Sequence, residues 1–229
     1  MKTVIITGAN GNLGTAVTKE FLNKNYQVIA TVSNEKAKTG FPVYPNLEVY
    51  AVDLRNEKET AAFLEKAIRD HGIIDAALLL AGGFAMGSIA ETSVEDLQQQ
   101  IALNFETAYN LARPLFTYMM NNKKGSIVFI GARPALNAVQ GKDLISYSLS
   151  KSLLFKLAEL LNEAAKGMNV NVSVVVPSTL DSAANRKSMP DANPTIWVKP
   201  EEVAETLEFL VSDKAKALRE TVLKIYNNA

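Results

Sequence analysis

Short apolar, β-branched runs recur along the chain at 3–7, 26–32, 47–51, 74–80, 126–131, 170–176 and 221–226. Each is short enough to be a strand buried on both faces. Between them lie amphipathic stretches at about 13–24, 57–70, 94–120, 144–166 and 200–212 whose apolar positions recur at helical spacing. Strand and helix alternate throughout, which predicts an α/β fold with a parallel sheet covered by helices on both faces. Local punctuation agrees. Thr92-Ser93-Val94-Glu95 reads as a capping box, Pro200 suits a first helical turn, and Pro114 is expected to kink or divide the long middle helix. The segment 177–199 holds three prolines and no clear period, and is expected to be a long loop acting as a lid. No repeat or linker divides the chain, so residues 1–229 are read as one domain with one large core.

Composition narrows the function classes. Lys+Arg and Asp+Glu both number 24, so the formal charge is zero, and no broad basic footprint points to nucleic acid or an anionic membrane. The absence of cysteine excludes disulfides, thiolate zinc sites and cysteine nucleophiles, and accords with a reducing cytoplasm. No apolar stretch approaches the ~20 residues that span a bilayer, and the chain begins with a strand-like run rather than a signal-peptide pattern. A cytoplasmic protein acting on a small molecule is expected. His71 is the only histidine, read as solvated at a helix end, so no metal is expected.

Thr7-Gly8-Ala9-Asn10-Gly11-Asn12-Leu13-Gly14 follows the first predicted strand and opens the first helix. Glycines there permit a tight turn, and unpaired N–H groups at a helix start attract a pyrophosphate. The second strand ends in Ser33-Asn34-Glu35-Lys36. An acid at that strand end would accept from the ribose 2′-hydroxyl of NAD. Without it, Ser33, Asn34 and Lys36 can donate to a 2′-phosphate, which favours NADP over NAD; the bland reading is that Lys36 and Lys38 solvate a loop. Asp53-Leu54, after the third strand, is placed to accept from an adenine amino group. Ala81-Gly82-Gly83 ends the fourth strand without side chains, letting a ligand lie on backbone.

Further along, Tyr147 and Lys151 stand four apart and share a helix face. A tyrosine ordinarily titrates near about 10, and a neighbouring ammonium favours its anion, easing proton exchange near neutral pH. Lys151 is therefore expected to hold the Tyr147 phenol in an acidified state.

The TGANGNLG turn, Asp53-Leu54, the Ala-Gly-Gly turn, Asn104 and Tyr147-x-x-x-Lys151 together resemble the short-chain dehydrogenase/reductase superfamily, over essentially the whole chain from residue 3. The spacing Gly8, Gly11, Gly14 departs from the family's commonest pattern, whose middle glycine would fall at Asn12. The resemblance implies a Rossmann-type, doubly wound fold with a mainly parallel seven-stranded sheet, an NADP or NAD cofactor, and a homodimer or homotetramer. It also implies Tyr147 as proton donor, Lys151 on the nicotinamide ribose and Asn104 in a proton relay. Several segments are similar to one branch, the dihydropteridine reductases: Leu80-Ala81-Gly82-Gly83-Phe84-Ala85, Ile130-Gly131-Ala132-Arg133-Pro134-Ala135-Leu136, and the string PSTLDSAANRKSMP at 177–190. This resemblance adds cofactor contacts at Pro177, Thr179, Leu180 and Ser182, and substrate contacts at Phe84, Arg133 and Trp197, although core packing suits Trp197 better.

The superfamily's usual catalytic serine should follow the fifth strand, yet Gly131-Ala132-Arg133 carries no hydroxyl, as in that branch. Asn104, by contrast, is the residue of ordinary family members, and the acid expected for NADH in that branch is missing. Three readings follow: an NAD(P)H-dependent reductase of a conjugated, pterin-like ring; a general carbonyl or alcohol reductase; and a non-catalytic dinucleotide sensor.

Overall fold

The computed structural model describes residues 1–228. Seven strands form one sheet: β1 (Thr3–Ile6), β2 (Gln27–Val32), β3 (Leu47–Ala51), β4 (Ala76–Leu79), β5 (Lys124–Ile130), β6 (Asn169–Pro177) and β7 (Val222–Ile225). Their order is β3-β2-β1-β4-β5-β6-β7, and every neighbouring pair is parallel. The direction of winding therefore reverses between β1 and β4. A crevice opens at such a point beyond the carboxyl ends of the strands.

The helices are α1 (Asn12–Asn23), the single turn α2 (Glu35–Lys38), α3 (Glu57–His71), α4 (Val94–Ile101), α5 (Thr107–Asn121), the turn α6 (Ala138–Gly141), α7 (Ile145–Ala164), α8 (Ala183–Ser188) and α9 (Pro200–Val211). Side chains alternate across a strand, so the sheet feeds two cores. Ile5, Ile29, Ile127, Phe129 and Val174 pack against Phe63 and Leu64 of α3, Leu111 and Leu115 of α5, and Leu154 of α7. Val4, Ile6, Val28, Leu78 and Val175 pack against Val17 and Phe21 of α1 and Val203 and Leu207 of α9. Each large aliphatic or aromatic side chain taken fully out of water contributes roughly 1.5–3 kcal/mol before entropy is charged. Strands apolar on both faces and helices apolar on one stripe have this sandwich as their way of burying both.

Four local expectations need correction. The capping box before α4 is formed by Ser93 and Asp96: Ser93 Oγ accepts from Asp96 N at 3.1 Å, and Ser93 N donates to Asp96 Oδ2 at 3.0 Å. Thr92 instead donates back to Ser88 O. The middle helix passes through Pro114 without ending and is interrupted earlier, by a wide π-type turn over Ala102–Glu106. Segment 177–199 is also more ordered than a loop. It carries α8, a 3-10 turn over Pro194–Ile196, and a parallel bridge between Leu180 and Val198 that pins its two ends together. His71 is largely covered and lies 3.3 Å from Glu48 rather than in solvent.

Candidate active site

The β1–α1 turn is built from backbone constraints. Gly8 has φ 63°, a left-handed conformation that glycine tolerates best. Its amide segment is tied down by Ala9 N donating to Thr31 O and Gly11 N donating to Gly8 O, both at 3.0 Å. Gly14 sits so close beneath the turn that a Cβ there would lie 2.2 Å from Gly8 O. The N-cap of α1 is Gly11, which supplies no side-chain acceptor, so the first-turn amides point out of the helix start without a capping group. Backbone N–H groups so arranged can hold an anion, and the turn fits a dinucleotide pyrophosphate.

The β4 exit closes against this turn. Ala81 N donates to Thr7 Oγ1 at 3.0 Å, and a Cβ on Gly8 would come within 3.0 Å of Ala81 Cα. A Cβ on Gly82 would lie 2.5 Å from Asn104 Oδ1 and 3.3 Å from Lys151 Nζ. The glycines of Ala81-Gly82-Gly83 thus let Leu103, Asn104 and Lys151 approach the β4 exit.

Asn104 is fully buried in the π-type turn. Its Oδ1 accepts from Gly83 N at 2.9 Å, and its Nδ2 donates to Gln100 Oε1 at 3.0 Å and to Ser150 Oγ at 3.1 Å. Ser150 in turn donates to Tyr147 O. The amide is held at three corners, which fixes which way it faces. One helical turn from Tyr147, Lys151 is 5% exposed and donates to Ile130 O at 2.9 Å. The Tyr147 ring is met edge-on by Phe84, with centroids 5.1 Å apart.

Electrostatics here differ from the expectation. Burial pushes the Tyr147 phenol up to about 12 and the Lys151 ammonium down to about 8. The expected acidified phenol is thus absent, because the protein's own interior disfavours the charged form of both groups. Lys151 reaches a backbone carbonyl rather than the phenol.

A cleft of about 620 Å³ joins these parts over the carboxyl edge of the sheet. It brings together most of the residues expected from sequence: Gly8, Asn10, Gly11, Asn12, Leu13 and Gly14 at the turn, Ser33, Asp53 and Leu54 at one end, and Ala81, Gly82, Gly83, Phe84, Tyr147, Lys151 and Leu180 at the other. Asn104 stands behind this wall. Others are not among the lining residues. Asn34 caps α2 by accepting from Ala37 N, and Ser182 caps α8 by accepting from Asn185 N. Arg133 lies over the Tyr226 ring at 4.6 Å and donates to Ser178 Oγ. Pro177 pairs with Ile225, Thr179 O accepts from Val198 N, and Trp197 is 5% exposed in the interior.

Sequence reasoning missed Thr7, Gln100, Ser150 and Arg55. Gln100 precedes Asn104 by one helical turn, a spacing that signals a shared face. Thr7 opens the glycine turn in sequence, yet its side-chain bond to the β4 exit needs the third dimension. Arg55 lines the cleft and forks onto Asp53, with Nε to Oδ1 at 3.0 Å and Nη2 to Oδ2 at 3.1 Å. That fork holds the Asp53 carboxyl below its ordinary value.

The profile of the family described as short chain dehydrogenase matches residues 2–193. The chain belongs to this family. It is therefore an oxidoreductase by descent. Among its relatives, the uncharacterized oxidoreductase YvrD of Bacillus subtilis strain 168 is 28% identical, the match covering 98% of this chain and 94% of that one. A dihydropteridine reductase of Dictyostelium discoideum is 27% identical, over 90% of this chain and 86% of its own. In three dimensions the chain is similar to a short chain dehydrogenase from Bacillus anthracis, with a TM-score of 0.87 at 21% identity, covering 99% of this chain and 95% of the other.

No helix among the described residues is long and apolar enough to cross a membrane, and no group of three or more metal-ligating side chains converges among them.

Proposed function

We propose that this member of the family is an NAD(P)H-dependent reductase of a conjugated, pterin-like ring, with Tyr147 as proton donor. One observation carries the reading. Tyr147 and Lys151 face a glycine-lined cleft, while the β5 exit beside them is Gly131-Ala132, with Ala132 3% exposed and no hydroxyl to offer. Of the other hydroxyl-bearing residues lining the cleft, Thr31 and Ser33 belong to the β2 end, and Thr107 donates to Leu103 O.

A reduced nicotinamide bound in the cleft would supply hydride. The Gly8–Gly14 turn would hold its pyrophosphate, Asp53 and Ser33 its adenosine half, and Leu180 would border the nicotinamide end. Ser33 at a strand end without an acid supports NADP over NAD. Tyr147 would protonate the reduced product, Lys151 would bind the nicotinamide ribose, and Asn104 would keep the wall behind them in place. A serine donor on the substrate oxygen is missing, and loss of one such donor typically costs ~10²–10³ in rate. A conjugated ring accepts hydride without that help more readily than a simple ketone does. Segment 177–199 is the proposed lid. A homodimer or homotetramer in the cytoplasm completes the proposal; the cysteine-free composition accords with that compartment.

The test mixes purified protein with NADPH or NADH and a quinonoid dihydropterin and follows cofactor oxidation. Turnover well above a Tyr147→Phe control is expected, with the control slowed by about 10²-fold or more. Oxidation no faster than that control would reject the pterin reading.

The second reading, a carbonyl or alcohol reductase, is favoured by the complete Asn104 network, since Asn104 is the residue of ordinary family members. Strong ketone reduction without pterin turnover would select it. The sensor reading is set aside, because the chain belongs to an enzyme family and retains Tyr147 and Lys151.

A further inference from the structure

We infer that Arg55, one strand away from the place where the sequence directs attention, is the cation that selects a 2′-phosphorylated dinucleotide. The inference rests on reading the cleft as a NAD(P) site. The end of β2 supplies Ser33 but no positive charge to the cleft: α2 carries Lys36 and Lys38 away from the lining, and Lys38 pairs with Glu35 at 3.2 Å.

Parallel register brings the missing charge from next door. Val32 is paired with Ala51, and Val52 N donates to Val32 O at 2.8 Å, so the β3 exit runs alongside the β2 exit. Residues just beyond the two strands therefore lie side by side. Asp53 and Arg55 line the same end of the cleft as Ser33. The Arg55 chain folds back, so that its guanidinium lies on the Asp53 carboxylate.

That fork is weakly held. The side chains are 61% and 42% exposed, so water and salt screen the pair. A guanidinium can exchange such a carboxylate for a phosphate dianion with two parallel N–H bonds, a stronger charge-assisted pairing. Ser33 is prepared to help. Its Oγ accepts from Asn34 Nδ2 at 3.1 Å, which leaves its O–H free to donate outward. Moving Arg55 to the phosphate also releases Asp53 Oδ2, which Nη2 holds, as an acceptor for the adenosine. A dinucleotide with a plain 2′-hydroxyl offers no anion and leaves the Arg55–Asp53 fork closed.

The test is a fluorescence titration of wild-type protein, Arg55→Met and Arg55→Lys with NADPH and with NADH, each at low and high salt. Wild type is expected to bind NADPH at least about tenfold more tightly than NADH, as one charge-assisted pairing implies. Arg55→Met should lose about tenfold for NADPH and stay within about twofold for NADH, with a shallower salt dependence for NADPH. Arg55→Lys, keeping charge but not the fork, should fall between. Equal effects on both cofactors, no effect on either, or a wild type that prefers NADH would overturn the assignment while leaving a dinucleotide site intact. Failure of wild type to bind either dinucleotide would instead remove the NAD(P) reading and this inference with it.

Discussion

Tyr147 and Lys151 illustrate how one residue pair changes meaning between sequence and fold. Spacing alone makes Lys151 a neighbour that acidifies a phenol. In the folded chain Lys151 donates to Ile130 O, and burial moves it from 10.5 down to about 8 while Tyr147 rises from 10.0 to about 12. These shifts have opposite consequences for stability. Between pH 8 and 10.5 the folded state binds fewer protons at Lys151 than the unfolded chain does, so its contribution improves as pH rises through that window. Between pH 10 and 12 the folded state keeps the Tyr147 proton that the unfolded chain has lost, so that contribution falls. Replacing Lys151 with Met should therefore stabilise the protein most below about pH 8, by at most roughly 3 kcal/mol, with the gain shrinking as pH approaches 10.5. Urea unfolding of both proteins across pH 7 to 10 checks this, and a pH-independent difference would contradict it. Asp53 shows the same lesson with the other sign. The sequence marks it as an acceptor, but only its neighbour's guanidinium explains why its carboxyl is held low.

At the scale of elements, the pattern of the chain was highly legible. Every strand and every long helix lies within a few residues of its apolar run, because strands buried on both faces and one-sided helices leave strong periodicities. What escaped were features set by contacts between elements. The π-type turn at Ala102–Glu106 is one. Pro114 carries the obvious helix-breaking signature, yet the interruption falls where Asn104 is gripped by Gly83, Gln100 and Ser150. Asn104→Ala should leave the Gly83 N–H and the Gln100 amide without their partner. The expected cost is about 1–3 kcal/mol in unfolding free energy, together with slower turnover at unchanged active-site composition. Chemical denaturation and steady-state kinetics on the same variant measure both. A variant as stable as wild type would show that the network is ornamental to the turn. Segment 177–199 is the second example. Its prolines and lack of period concealed α8, whose start is capped by Ser182, and so removed that hydroxyl from the cleft lining.

For the whole molecule, association is the property most exposed to test. Leu149, Leu153 and Leu160 of α7 are 50%, 38% and 62% exposed, and Tyr109 of α5 is 40% exposed. Apolar positions gathered on long outer helices are an expected cost for a monomer. Light scattering should give two or four copies per particle, and Leu153→Glu should lower that number without changing the folded spectrum; a monomeric wild type would remove the proposal. The sequence by itself determined the alternation of strands and helices, the glycine turn and the Tyr147–Lys151 pair, since these follow from local periodicity and fixed spacing. Only the tertiary structure decided which side chains share the cleft. Sheet order places β1 against β4 and β3 against β2, and so brings Thr7 to Ala81 and puts Arg55 in the same cleft as Ser33. Those neighbours are set by long-range packing, with no local periodicity to mark them.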